Sequence, residues 1–266
     1  MTAEGPDGAP LTPGPDESLD LLCGDWHLFQ LKKGHRFSTD DVVGAFEAAR
    51  AQPDATRLLD LGAGTGSVGL MTLFQLPGSR LVMVEAQEIS HKLARRSVRL
   101  NGLGERVTLR HGDLRDPDLV PPEEHGQYHI VTGTPPYIPL GKGHVSPHPQ
   151  RAACRMELRG DVFDYCRTAA RALHPDGSFI LVHSAVDPRP EQAIEAAGLT
   201  LRGRRDVYFR RNREPTIAAW TAGFGGTRAD PEPLVVREPH GRWTAQWLTV
   251  REALGAPPPA AHERPA

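Results

Sequence analysis

Apolar residues along this chain fall into short continuous runs, separated by segments in which they recur at helical spacing. That alternation builds a parallel sheet covered by helices on both faces. The runs Thr56–Ala63, Arg80–Ala86, Arg106–Asp113 and Tyr128–Gly133 predict strands, and the amphipathic stretches Ser67–Leu76 and Glu88–Gly102 predict the helices between them. Gly102 is placed to stop the second helix. A further helix over Met156–Leu173 leads through the turn His174–Gly177 into a strand at Ser178–Ser184, and a short helix follows near Glu191–Ala197. Leu199–Phe209 and Thr216–Phe224 then read as an antiparallel pair at one edge of the sheet. Ahead of the first strand, Thr39–Ala51 is a helix with Ser38 as N-cap and Asp41 in the capping-box position.

The ends differ from this pattern. Residues 1–18 and 255–266 are rich in proline, glycine and alanine with little to bury, so both are expected to be disordered tails around one folded domain at 19–254. The chain of 266 residues has a formal net charge of -2, which gives no global attraction to nucleic acid or to a membrane surface. It contains three cysteines, Cys23, Cys154 and Cys166, with neither CxxC spacing nor an even count, so reduced thiols in a cytoplasmic protein are expected. No apolar stretch is long enough to span a bilayer, and no secretory leader is legible. His144, His148 and His174 lack ligand spacing, and no metal is expected.

The loop Asp60–Gly66, DLGAGTG, carries the first chemistry. Glycines at 62, 64 and 66 let the backbone turn sharply and approach a ligand at the start of the next helix. The same stretch holds a literal GxGxxG as Gly64, Gly66 and Gly69, the pattern of dinucleotide loops. A carboxylate at Asp60 would repel a pyrophosphate there but could hold the ammonium of a methionine moiety, and Glu85 at the end of the second strand could accept both hydroxyls of a ribose. Together they indicate S-adenosylmethionine as cofactor. Asp113 and Leu114, after the third strand, would hold its adenine: Asp113 accepts from the exocyclic amine, and Leu114 covers the ring.

The fourth strand runs into Thr134-Pro135-Pro136-Tyr137 at the carboxyl edge of the sheet, where open α/β sheets place their ligands. The two prolines make the chain leave rigidly, the Pro135 carbonyl can face an incoming amine, and Tyr137 can stack on a planar group. With the glycine loop, this segment resembles the class I amino-methyltransferases that carry an (N/D/S)PPY motif. More narrowly, GHRFSTDD before the loop, EAQEISHKLARRSVRLNGL after it, QRAACRMELRGDV and REPHGRWTAQWLTVREAL are similar to the bacterial tRNA adenine-N6 methyltransferases of the valine-tRNA type. The resemblance implies a Rossmann-like class I fold with a seven-stranded, mostly parallel sheet. It also implies donor contacts from Asp40, Asp60, Gly62, Ala63, Gly64, Gly66, Glu85, Asp113 and Leu114, with Asp40 closing over the methionine end. Thr134, Pro135, Pro136 and Tyr137 would hold the target nitrogen.

The chain departs from the family at Thr134, where an asparagine is usual. A threonine hydroxyl can accept a hydrogen bond but cannot reproduce the amide's geometry, and a poorly aligned contact at the reacting centre costs about 2 to 4 kcal/mol. Thr134 therefore marks either a different nucleophile or a slower adenine enzyme. The resemblance favours adenine in tRNA or another structured RNA as acceptor, with the chain acting as a monomer. A protein glutamine, a small-molecule amine and a donor-binding protein without turnover are the alternatives. Arg202–Arg213, with Tyr208 and Phe209 interleaved, is the basic stretch best suited to RNA, and Pro139–Arg155 reads as a mobile lid.

Overall fold

The computed structural model describes residues 10–142, 145–257, 260 and 263. The remaining positions of the two expected tails, and His144, lie outside the described residues. A hairpin of β1 (Glu17–Cys23) and β2 (Trp26–Leu31) precedes α1 (Thr39–Ala51). The main sheet then forms from β3 (Arg57–Leu61), β4 (Arg80–Glu85), β5 (Val107–His111), β6 (Tyr128–Gly133), β7 (Leu173–Ser184), β8 (Thr200–Tyr208), β9 (Ile217–Gly223) and β10 (Leu234–Val235). Its order is β10-β8-β9-β7-β6-β3-β4-β5. Only β9 runs antiparallel to its neighbours β7 and β8, and the other pairings are parallel.

All seven expected strands are present, and the two-residue β10 makes the sheet eight-stranded rather than seven-stranded. β3 sits centrally because Leu58, Leu59 and Leu61 are apolar towards both faces and fully covered. The helices α2 (Ser67–Gln75), α3 (Glu88–Leu100), α5 (Val162–Ala172) and α6 (Arg189–Ala196) cover the sheet, and α7 (Ala245–Ala253) closes the chain. The two largest core clusters among the described residues lie around Leu58, Leu70 and Leu73 and around Leu61, Phe179 and Trp220.

Strand β1 begins at Glu17, ahead of the expected boundary at 19. Arg96 gathers that segment: its guanidinium pairs with Glu17 at 2.7 Å and donates to the carbonyls of Pro10 and Thr12. The expected helix over Met156–Leu173 is shorter, because Asp161 caps α5 by accepting from the amides of Phe163 and Asp164. A separate helix α4 (Pro149–Arg155) stands where a mobile lid was expected. Its Gln150 is buried and bonds the His35 amide at 2.8 Å and the Ser90 hydroxyl at 3.1 Å, so this half of the lid is pinned to the body.

Candidate active site

The carboxyl edges of β3, β4 and β6 and the first turn of α1 converge on two adjoining cavities. The first is walled by Gly62, Ala63, Gly64, Glu85 and Leu114, with Tyr165 behind them. Its loop is shaped by Gly62, Gly64 and Gly66, all at positive φ (64°, 58° and 97°), with Gly66 as the residue before α2. A Cβ on Gly62 would stand 2.0 Å from the Tyr165 hydroxyl, so the floor of this cavity exists only because residue 62 has no side chain. Glu85 braces the loop from β4: one oxygen accepts from the Gly64 amide at 2.8 Å, the other from the Gln87 amide at 2.6 Å. Burial raises its pKa, and the two amides oppose that rise.

The second cavity is walled by Thr134, Pro135 and Tyr137 on one side and by Asp40, Asp41 and Arg155 on the other. His35, Asp41, Thr134 and Cys154 line both cavities, so these four residues mark the place where they meet. Asp41 accepts from the Ser67 hydroxyl at 2.5 Å and from the Ser38 amide at 2.8 Å. Burial, with Asp40 adjacent, pushes its carboxyl up to about 8. The Cys154 thiol is also pushed up to about 12 by burial, which keeps it protonated and unsuited to nucleophilic attack. Tyr137 is held at both ends: its hydroxyl donates to Asp40 Oδ2 at 3.1 Å, and its ring lies 4.7 Å from that of His183.

Several sequence expectations are corrected here. Asp60 does not line the first cavity: its carboxylate turns under α2, accepting from the Gly69 amide at 3.0 Å and from the Thr132 hydroxyl at 2.7 Å. It ties α2 to β3 and β6 instead of facing a ligand. Gly69 has the same purpose, since a Cβ there would lie 2.9 Å from Asp60 Oδ2. The GxGxxG reading therefore ends in helix packing. Gly66 turns the loop but does not line the cavity. Asp113 is spent on Arg115, which contacts both of its oxygens and holds its carboxyl below the usual range; Gly112 and Leu114 line the cavity instead. Asp40 lines the second cavity, not the first. Pro136 lines the first, with Thr134.

Much of the basic stretch Arg202–Arg213 is also committed internally. Arg202 donates to the carbonyls of Gly177, Phe224 and Gly225, Arg204 pairs with Asp206, Arg205 with Glu47 and Arg211 with Glu238. Sequence reasoning missed Asp41, Tyr165 and His183, because each becomes a site residue only through a neighbour distant in sequence. Among the described residues no group of histidines, cysteines or carboxylates could hold a metal ion, and no helix is long and apolar enough to cross a membrane.

Burial also pushes the Asp60 carboxyl up to about 7. The folded protein therefore keeps a proton on Asp60 that the unfolded chain releases near pH 4, as it does on Asp41. By linkage, stability is fullest below that value and declines as pH rises through about 7 to 8. Melting temperature is expected to fall between pH 5 and pH 8, and Asp60→Asn, which keeps an acceptor for Gly69 without a titrating proton, is expected to flatten that fall; an unchanged slope in the variant contradicts this.

The methyltransferase small domain family matches residues 42–148. A 4-amino-L-phenylalanine/4-methylamino-L-phenylalanine methyltransferase from Streptomyces pristinaespiralis is 32% identical over 154 residues, 55% of this chain and 50% of that protein. The chain thus spans about half the length of that relative. A tRNA1(Val) (adenine(37)-N6)-methyltransferase from Tolumonas auensis is 24% identical over 232 residues, 85% of this chain and 92% of that protein. Among solved structures, a predicted O-methyltransferase from Agrobacterium tumefaciens superposes with a TM-score of 0.60 at 20% identity, covering 82% of this chain and 98% of its own. That likeness establishes a shared fold.

Proposed function

We propose that the protein, whose residues 42–148 match the methyltransferase small domain family and whose sheet has the class I methyltransferase fold, is an S-adenosylmethionine-dependent N-methyltransferase acting on a planar amine. One observation carries the reading: a glycine-floored cavity and a proline-walled cavity meet at Thr134, Asp41, His35 and Cys154. S-Adenosylmethionine, when bound, supplies a methyl group on a positively charged sulfur, ready for direct displacement. The first cavity suits it. Gly62 and Gly64 leave room for close approach, Glu85 has lone pairs left for two ribose hydroxyls, and Leu114 gives an apolar wall for a base. Asp41 and Ser67 lie where the methionine end would reach the junction.

In the second cavity the chain's own part is positioning. Pro135 holds the backbone rigid, so its carbonyl keeps one direction, and Tyr137 gives a planar ring a face to stack on. Holding both partners in a fixed geometry removes most of the entropic barrier to a displacement. For the acceptor we favour adenine in tRNA, on the strength of the similarity that runs through 92% of the tRNA1(Val) relative. A small aromatic amine is the second reading. The pairing of Arg204, Arg205 and Arg211 with carboxylates favours it, because it occupies part of the stretch best placed to follow a phosphate backbone.

Methyl-labelled S-adenosylmethionine offered with total tRNA, protein extract and 4-amino-L-phenylalanine in parallel tests the proposal. Label is expected in tRNA as N6-methyladenine and is expected to fall at least about 100-fold in Tyr137→Ala, which removes the stacking face and the hydroxyl to Asp40. Label in the amino acid alone supports the second reading, and label in protein alone moves the acceptor to a polypeptide amide. Donor binding with no label anywhere contradicts an enzyme.

A further inference from the structure

The second cavity contains more hydrogen-bond acceptors than the proline segment provides, and they differ in what they have left to offer. Thr134 brings one hydroxyl. Asp41 has one bond on each oxygen, from the Ser67 hydroxyl and the Ser38 amide, and is buried at the junction. Asp40 carries the same number of bonds but is not buried. Oδ2 takes the Tyr137 hydroxyl and Oδ1 the Ser38 hydroxyl, which leaves about two of a carboxylate's four lone-pair directions unused. Asp40 lines only the acceptor side, where Pro135 and Tyr137 also lie, and it is half-exposed, so a proton taken up there can pass on to water. Its orientation is fixed through Tyr137, which is itself packed against the fully buried His183.

We propose that Asp40 holds the target amine by accepting one of its N–H groups and takes up the proton that the nitrogen sheds on methylation. The inference rests on the methyltransferase reading above and narrows the acceptor to a primary or secondary amine on a planar group. The step balances without a further reactant. The nitrogen lone pair forms the N–C bond while the C–S bond breaks, its electrons remaining on sulfur as a neutral thioether. The nitrogen, now positively charged, passes one N–H proton to the Asp40 carboxylate and is left as the neutral methylated amine. Asp40 then returns the proton to solvent. A tertiary amine would have no proton to give and is excluded.

Asp40 also lies in the first turn of α1, where a negative charge favours the helix on its own account. A charge serving only the helix would change melting temperature and leave the turnover of folded protein alone. The test measures kcat for methyl transfer to 4-amino-L-phenylalanine and to total tRNA, together with calorimetric donor binding, for Asp40→Asn, Asp40→Ala, Tyr137→Phe and the double variant. Asparagine can accept a hydrogen bond but not a proton, so kcat is expected to fall about 10-fold in Asp40→Asn and about 100-fold in Asp40→Ala, with donor affinity unchanged. Tyr137→Phe frees the Asp40 carboxylate but keeps the ring; it is expected to slow transfer several-fold and to add nothing to Asp40→Ala.

If Asp40→Ala does not fold, Asp40→Asn and Tyr137→Phe carry the same comparison. Wild-type turnover with an undiminished Asp40→Asn or Asp40→Ala rate overturns the proposal alone. Loss of donor affinity in step with rate also overturns it, because Asp40 would then serve the donor. A wild type that transfers to neither acceptor and to nothing in protein extract removes the functional reading and this inference together.

Discussion

Glu85→Ala is expected to weaken S-adenosylmethionine binding about 100-fold or more, whereas Glu85→Gln should lose only about 10-fold. The carboxylate has two tasks. It accepts from the Gly64 and Gln87 amides, fixing the loop on one side of the cavity and the start of α3 on the other, and it offers its remaining lone pairs to the ribose. Alanine removes every one of these bonds and leaves two amides to find water, and hydrogen bonds to a charged group are worth about 1.5 to 3 kcal/mol each. Glutamine keeps one acceptor and can preserve the Gly64 contact. Calorimetric titration with the donor measures the difference. Equal affinities in wild type and Glu85→Ala would mean that the donor does not reach β4.

Gly62→Ala is expected to abolish donor binding at millimolar concentrations, and Gly64→Ala is expected to be far milder. Both positions have positive φ, which costs an L-residue about 1 to 2 kcal/mol. The difference is in their surroundings. A Cβ at 62 would meet the Tyr165 hydroxyl at 2.0 Å, and Tyr165 is enclosed in the core formed by α5 and β6, while a Cβ at 64 meets nothing within 4 Å. Relieving the clash at 62 means pushing Tyr165 or the loop into the donor cavity. Thermal melts and donor titrations of both variants check this. Equal behaviour of the two would show that Tyr165 does not form the cavity floor.

The strand and loop order was legible because each strand is a short apolar run closed by glycine, proline or a helix cap. Asp60, the glycines and the proline segment were therefore found at their correct places along the chain. What the pattern could not supply was direction. Asp60 is at the end of β3 as expected, yet its carboxylate points back under α2 because the Gly69 amide and the Thr132 hydroxyl are there to satisfy it. Asp40 and Asp41 are adjacent in sequence but lie about 100° apart around a helix, so one faces the acceptor cavity alone and the other lies at the junction.

The arginines of the Arg202–Arg213 stretch illustrate the same limit. A basic run in sequence reads as a phosphate-binding face, but Glu47 comes from α1 and Glu238 from beyond β10, and neither partnership has a local signal. The hairpin β1–β2 was hidden by the proline-rich segment before it, whose backbone carbonyls are satisfied by Arg96, far along the chain on α3. The lid was misread for a comparable reason: Gln150 and Ser90 must first be brought together by the fold before α4 has anything to hold.

The most direct test of the central claim, that donor and acceptor meet at the junction of the two cavities, is a crystal structure of the protein with S-adenosylhomocysteine. The expected result has the ribose on Glu85, the adenine against Leu114, and the sulfur at the junction facing Thr134 and Pro135. The ligand bound elsewhere, or with its sulfur turned away from Thr134 and Pro135, would contradict the account.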